Sequence, residues 1–396
     1  MSQPIHEPQT TEPLYRELTP LQRQQRLKEL SIVFLKLGTI AFGGPAAHIA
    51  MMDDEVVKRR RWLSREKLLD LLGITNLIPG PNSTELAIHI GYERAGIGGL
   101  LIAGTCFILP AMLLVWALAV VYVHYQAVPQ AEWLLYGVKP VIMAIVLQAL
   151  WKLGKSAAKD AATMGAGIVV VILFFTGLNE IALLFLAGLG VMLIKTWRRG
   201  GIQSALLLPL PQVLAQASHA TAAPPNWITV FLSFLKIGSV LYGSGYVLLA
   251  FLQKEFVERS HWLTSQQLLD AVAIGQLTPG PVFTTATFIG YLLAGNAGAI
   301  AGTIGIFLPA FGFVAIVNPW VPKLRQSVWI SGFLDGVNAA SWGLMAVVTW
   351  DLGWAALVDG LTVILAILSA VAVFRFKVNS AWLVLGGAFI GLIAQG

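Results

Sequence analysis

Apolar positions along this chain fall in long runs with few charges inside them, not in amphipathic stripes. They cover 31–52, 68–93, 100–123, 133–151, 162–178 and 181–195, then 228–252, 266–294, 296–317, 329–350, 354–374 and 380–395. Leu100–Val123 holds no charged residue at all. About 20 apolar residues in a helix cross the hydrocarbon core of a bilayer, where backbone groups must be bonded internally. The pattern predicts an all-α integral membrane protein. One polar segment, 196–227, is longer and carries Arg198, Arg199, Pro209, Pro211, Pro224 and Pro225, so it cannot continue a helix. It divides the chain into a polar tail (1–30), a first unit (31–195), a linker (196–227) and a second unit (228–396).

The two units repeat one another. Residues 34–81 align without gaps on 234–281, and 19 of the 48 positions are identical. Shared residues include Lys36/Lys236, Gly43/Gly243, Glu55/Glu255, Trp62/Trp262, Asp70/Asp270 and Pro79-Gly80-Pro81/Pro279-Gly280-Pro281. After one deletion the match resumes at Ile90-Gly91-Tyr92 with Ile289-Gly290-Tyr291 and at Leu109-Pro110-Ala111 with Leu308-Pro309-Ala310. A period this long is the duplication of a whole bundle.

The second run of each unit carries Pro-Gly-Pro near its middle. Proline removes a backbone donor and clashes with the preceding turn, so two prolines around one glycine break a helix. We read 68–93 as two half-helices that meet at 79–81 and re-enter the side they left. That leaves five crossings per unit, about ten in all, and an odd number makes the units inverted-topology repeats. Basic residues then fall on one side, as cytoplasmic loops require. Lys58, Arg59, Arg60, Arg61, Lys152, Lys155, Lys159, Lys195, Arg198, Lys323, Arg325, Arg375 and Lys377 all become cytoplasmic, and the loop 124–132 outside has no Lys or Arg. The basic tail is the one conflict.

Composition agrees: 57% of residues are hydrophobic, 12% are charged and mean hydropathy is +0.74, where soluble domains carry roughly 25% charge. The net charge of +6 thus reads as loop topology, not nucleic-acid binding. Residues 1–30 contain no apolar stretch, so no cleavable leader is predicted. Cys106 is alone, which excludes an intrachain disulfide or cysteine metal site. No Walker A loop or His-Glu-x-x-His is present, so neither a metal nor a nucleotide cofactor is expected. Glu85 and His89 lie one helical turn apart with no nucleophile beside them, so the chain is not read as an enzyme.

Inverted repeats with broken helices are the architecture of secondary transporters, whose sites lie where half-helix ends expose backbone groups. The breaks are Phe42-Gly43-Gly44-Pro45 and Pro79-Gly80-Pro81, then Tyr242-Gly243-Ser244-Gly245 and Pro279-Gly280-Pro281. Pro81 suits the first turn of a new helix, and Asn82, Ser83 and Thr84 add hydrogen-bonding groups at an anion-attracting N-terminus. Asn76 precedes the first break, and Thr278, Thr284 and Thr285 flank the second. Lys36 and Lys236 sit within apolar runs, either facing substrate or snorkelling to the interface. Asp70 and Asp270 stand at a pathway mouth or at the interface. Glu85, whose counterpart is Thr285, carries a coupling proton or bonds the break; His48 also lacks a counterpart. A carrier and a passive anion channel would use the same N-termini.

Phe34-Leu35-Lys36-Leu37-Gly38, followed by Phe42-Gly43-Gly44-Pro45-Ala46-Ala47-His48-Ile49, resembles the first signature of the chromate ion transporter family in its long two-domain form. Trp62-Leu63-Ser64 and Asn76-Leu77-Ile78-Pro79-Gly80-Pro81-Asn82-Ser83-Thr84 resemble it too, and the likeness covers nearly the whole chain. It departs at Ser244-Gly245, where the first unit has Gly44-Pro45. The resemblance implies export of chromate across the bacterial inner membrane, driven by membrane potential or proton gradient, and hence chromate resistance. Sulfate is the close structural relative of that oxyanion. The partners are then the oxyanion and the bilayer, with a homodimer as the alternative to a monomer.

Overall fold

A computed structural model describes residue 15 and residues 18–125, 129–198, 225–242, 245–317 and 328–396. Most of the tail and linker, the 318–327 loop with Lys323 and Arg325, and Gly243 and Ser244 lie outside the described residues. Among those described, all regular structure is helical. The first unit contains α1 (Pro20–Ile40), α2 (Gly44–Met52, extended by a π-helical turn Asp53–Arg59), α3 (Arg65–Thr75), α4 (Asn82–Tyr125), α5 (Pro129–Ala157), α6 (Ala161–Phe174) and α7 (Glu180–Arg198). The second repeats the order with α8 (Trp227–Val240), α9 (Leu248–Leu252, with its own π turn Gln253–Arg259), α10 (Ser265–Leu277), α11 (Thr285–Val317), α12 (Val328–Ala356), α13 (Gly360–Arg375) and α14 (Ser380–Gln395). Four helical segments, Asn82–Tyr125, Glu132–Ala157, Glu180–Trp197 and Val282–Val317, are long and apolar enough to cross a membrane.

Local chemistry repeats with the sequence. Asp160 and Asp359 cap α6 and α13 with the same box, each carboxylate accepting from a threonine amide three residues on (Thr163 and Thr362). The Pro-Gly-Pro breaks appear as expected. Lys67, at the start of α3, pairs with Glu93 at 3.0 Å. A straight helix would hold those residues about 39 Å apart, so α3 and the first arm of α4 fold back on each other around 79–81.

The run 31–52, read from the sequence as one crossing, also folds back. Lys36 and Glu55 are 3.2 Å apart, and Lys236 and Glu255 are 2.7 Å apart. In each unit the chain therefore reverses between the first two helices, α1 and α2 or α8 and α9.

A third break lies inside α4 and α11. Ala95 and Gly96 leave helical geometry (φ −148° and +60°), and Ala294 and Gly295 repeat it (φ −146° and +60°). The second residue of each reversal needs a positive φ, which glycine adopts without a Cβ penalty. Beyond it the chain turns back on itself. A Cβ on Gly91 would overlap the Gly99 carbonyl, and one on Gly290 the Gly298 carbonyl, so the two arms of each hairpin pack backbone to backbone.

The units pack on each other through a core drawn from both, beside a smaller one that belongs to the first unit alone. α1 packs on α4 and α8 on α11, whereas α5 packs on α13 and α14 and α12 on α6 and α7. α4 meets α11 across the centre with opposite chain directions: Gly104 lies against the Phe311 ring, and Trp116 donates to Asn296 at 3.0 Å. There the tips of the breaks exchange hydrogen bonds. The Gly80 amide donates to the Leu241 carbonyl (2.8 Å), and the Gly280 amide to the Ala41 carbonyl (2.9 Å).

Candidate functional site

At this crossing of breaks lies a cleft of about 420 Å³. Pro45, His48 and Ile49 enter from α2, and Asn76, Pro81, Asn82 and Ser83 from the first Pro-Gly-Pro break. Gly245, Pro281, Val282 and Phe283 come from the second unit's breaks, with Leu153, Ser156 and Lys159 from the end of α5 and Asn338 from α12.

The polar wall belongs mainly to the first unit. The Thr84 and Glu85 amides both donate to the Pro81 carbonyl (2.8 and 3.0 Å). That starts α4 at Asn82 with its positive end at the cleft, a favourable position for an anion. Asn82 donates its side-chain amide to Asn76 (2.9 Å), and Asn76 donates to the Leu72 carbonyl (3.1 Å), which fixes the orientation of both. His48 is buried between the Ala41 carbonyl (3.1 Å from Nε2) and the Ser83 hydroxyl (3.1 Å from Nδ1). A carbonyl only accepts, so Nε2 carries the proton; in a neutral ring Nδ1 then accepts from Ser83. The Ser83 oxygen keeps its remaining acceptor capacity, and becomes a net donor to the cleft only when His48 gains a second proton.

Lys159 is the cation at this cleft. Its Nζ lies 2.6 Å from Asp335, a buried carboxylate that Lys195 also contacts at 2.7 Å, and Lys195 reaches Asp160 at 2.8 Å. The Asp160 carboxyl, outside the apolar helices, is lowered to about 2 by the hydrogen bond from Lys195 and by the Thr163 amide.

Glu85 stands just behind the wall. It is fully buried, and neither oxygen has a hydrogen-bond partner among the described residues. Its Oε1 occupies the space a Cβ on Gly80 would need, so the glycine of the break makes room for this carboxyl. Thr84 and His89 are fully buried beside it on the same arm.

Other predicted residues sit elsewhere. Thr278, Thr284 and Thr285 are buried and turn their hydroxyls onto their own backbone, at Gly275, Pro281 and Val282 (3.2, 2.8 and 2.8 Å). Val282 and Phe283 line the cleft in their place, so the second-unit wall is apolar at its break, and its polar group is Asn338 of α12. Lys36 and Lys236 are held by Glu55 and Glu255, which Arg60 and Arg259 also bind (2.9 and 3.0 Å). Gly43 borders an adjoining cavity, and Gly44 follows it at φ +76°. Pro79, Gly80, Pro279 and Gly280 form the turns behind the lining.

Asp70 and Asp270 are equivalent in sequence but not in setting. Asp70 is exposed on α3. Asp270 is buried, takes a hydrogen bond from Tyr122 (2.9 Å) and pairs with Lys139 (3.1 Å), in a second cleft of about 590 Å³ at the far end of α10. Lys139, Lys159 and Asn338 carry no sequence motif, whereas His48 lies in the signature that follows the first glycine break. Only the apolar neighbours of Lys139 hint that it is held inside.

Ion pairing is general among the lysines: Lys36, Lys58, Lys67, Lys139, Lys159, Lys195, Lys236 and Lys254 each have a carboxylate within 4 Å.

The model of the family described as "Chromate transporter" matches residues 28–193 and again 228–392. The chain is 34% identical to a chromate transport protein of Cupriavidus metallidurans over 376 residues, 93% of each chain. It is 31% identical to a probable chromate transport protein of Synechococcus elongatus, over 93% of this chain and 95% of that one. A chromate transport protein of Pseudomonas aeruginosa is 32% identical over 90% of both. No solved structure matches the chain.

Proposed function

The chain belongs to the chromate transporter family, and we propose that it exports chromate from the bacterial cytoplasm across the inner membrane by a secondary mechanism. The observation that carries this reading is the cleft between the paired breaks, where the start of α4, Asn82 and Lys159 converge. Chromate is a tetrahedral dianion. A helix N-terminus and neutral donors bind such an ion without trapping it as a second fixed cation would.

The halves act as inverted-topology repeats with re-entrant arms, the first run of each unit among them. The opposite directions of α4 and α11 support this reading, as does the reciprocal packing of α5 and α12. One half rocks against the other to expose the cleft alternately, and Glu85 carries the coupling proton. A carboxylate without partners costs several kcal/mol at such a site, and a proton removes that cost. Export of this kind gives chromate resistance.

Chromate uptake into everted membrane vesicles, energised and de-energised, with sulfate as competitor, tests the proposal. Saturable, energy-dependent uptake is expected. Flux without saturation or counter-transport would identify a passive channel, and preference for sulfate would reassign the substrate. Absence of uptake above empty membranes would refute the chromate reading.

A further inference from the structure

Beside the central cleft lies a larger cavity of about 760 Å³, and the two share Pro45, Leu153 and Ser156 in their walls. Lys152 and Lys155 line it from the end of α5, and Lys377 from the turn between α13 and α14. All three are exposed, and none has a carboxylate in ion-pair range among the described residues. No Asp or Glu lines the cavity. In a chain whose lysines are mostly neutralised by a neighbour, three unneutralised ones surround one opening. In the sequence Lys152 and Lys155 belong to one segment and Lys377 to another, more than 200 residues on, and topology alone accounts for them. The fold brings them together.

Unscreened charge of one sign in a concave, low-dielectric wall raises the local concentration of the opposite ion and speeds its entry by about 10- to 1,000-fold, an effect that salt removes. Neutral donors are also at hand: Gln148, Asn379 and Ser380 line the same space. Trp151 forms part of the wall, with the Lys155 ammonium 5.1 Å from its ring centroid.

We propose that this cavity is an oxyanion vestibule, a second and weaker site where Lys152, Lys155 and Lys377 collect a tetrahedral dianion and pass it to the cleft beyond Ser156. The inference rests on the transport reading above and assigns the cation set that loads it. Lys159, bound to Asp335, is not part of that set.

The test is the ionic-strength dependence of uptake into everted vesicles, which present this face. Wild-type KM should rise several-fold with added salt. The combined K152Q, K155Q and K377Q variant should show a KM raised about tenfold at low salt, a nearly unchanged maximal rate and no remaining salt response. Arginine at the same positions should restore the wild-type profile. If the triple variant inserts wrongly, the three single variants decide: a raised KM in each supports the vestibule, and an unchanged KM in all overturns it. A readout independent of transport is quenching of Trp151 by chromate, whose absorption overlaps tryptophan emission. In purified protein, part of the quenching should vanish in W151F and in the triple lysine variant, and sulfate should compete for it. Wild-type transport with lysine variants indistinguishable in KM, salt response and quenching overturns the vestibule but leaves the carrier. Sulfate transport without chromate transport, with the lysine dependence intact, overturns the chromate reading and leaves the vestibule.

Discussion

Lys36 decides between two accounts of a lysine in an apolar run: a ligand for substrate, or the counter-ion of Glu55. The Glu55 side chain is 9% exposed and is held by Lys36 at 3.2 Å and Arg60 at 2.9 Å. Removing one member of a buried pair costs about 3–5 kcal/mol. Here the cations are partly exposed, Lys36 at 47%, so their share is screened and Glu55→Gln should cost about 2 kcal/mol. Lys36→Met leaves Glu55 bound to Arg60 and should cost only about 1 kcal/mol. The double variant should cost less than the sum of the two, with a coupling of about 1 kcal/mol. Thermal unfolding in detergent measures the stabilities, and vesicle uptake measures KM. The expected pattern is a larger stability loss in Glu55→Gln than in Lys36→Met, with KM unchanged in Lys36→Met. The reasoning fails if Lys36→Met raises KM tenfold or more at full stability while Glu55→Gln is silent, because Lys36 would then be binding substrate.

Further outcomes follow from the same geometry. Gly80→Ala forces a Cβ into the Glu85 carboxyl at a backbone φ of +141°; it should lose about 2–3 kcal/mol or more, read as reduced yield and a lowered melting temperature. Gly91→Val drives a side chain into the Gly99 carbonyl and should lose at least about 3 kcal/mol, whereas Gly165→Ala, with open space around it, should be neutral in the same assay. Glu85→Gln keeps the packing and should abolish the pH dependence of uptake while anion exchange persists; an unaltered pH profile removes Glu85 from the coupling. The Asp160 carboxyl lies near 2 in the folded chain against an ordinary value of 3.8. Its stabilising contribution is therefore full above about pH 4 and is lost as pH falls toward 2. Acid unfolding of Asp160→Asn should lack that component.

The repeat and its Pro-Gly-Pro breaks could be read from residues because proline and glycine act on their own backbone, whatever surrounds them. The cleft was legible to the same extent: Asn76, Asn82 and Ser83 lie in or beside a break, and they line it. The threonines of the second unit misled for a physical reason. A buried threonine in a helical turn bonds its own carbonyl, so polarity at a break does not imply polarity toward the cavity. The reversals at Ala95-Gly96 and Ala294-Gly295 fall at the gaps between the runs 68–93 and 100–123 and between 266–294 and 296–317, so the sequence marked a boundary there but not the tight backbone-to-backbone hairpin that its glycines allow. Lys152, Lys155, Lys159 and Lys377 fit the rule for loop charge, and only their three-dimensional neighbours separate the paired from the unpaired.

The exchange of hydrogen bonds between Gly80 and Leu241 and between Gly280 and Ala41 has a consequence for assembly. Each half carries, at the tip of its break, an amide that its own residues do not satisfy, and the acceptor is supplied by the other half. Neither half is a complete solution to the bilayer's demand that every backbone donor be bonded. A gene split within the linker would yield two polypeptides that are each a poor membrane protein and together a good one. Co-expressed fragments should therefore protect one another from proteolysis, and a fragment made alone should be degraded unless a second copy takes the missing partner's place.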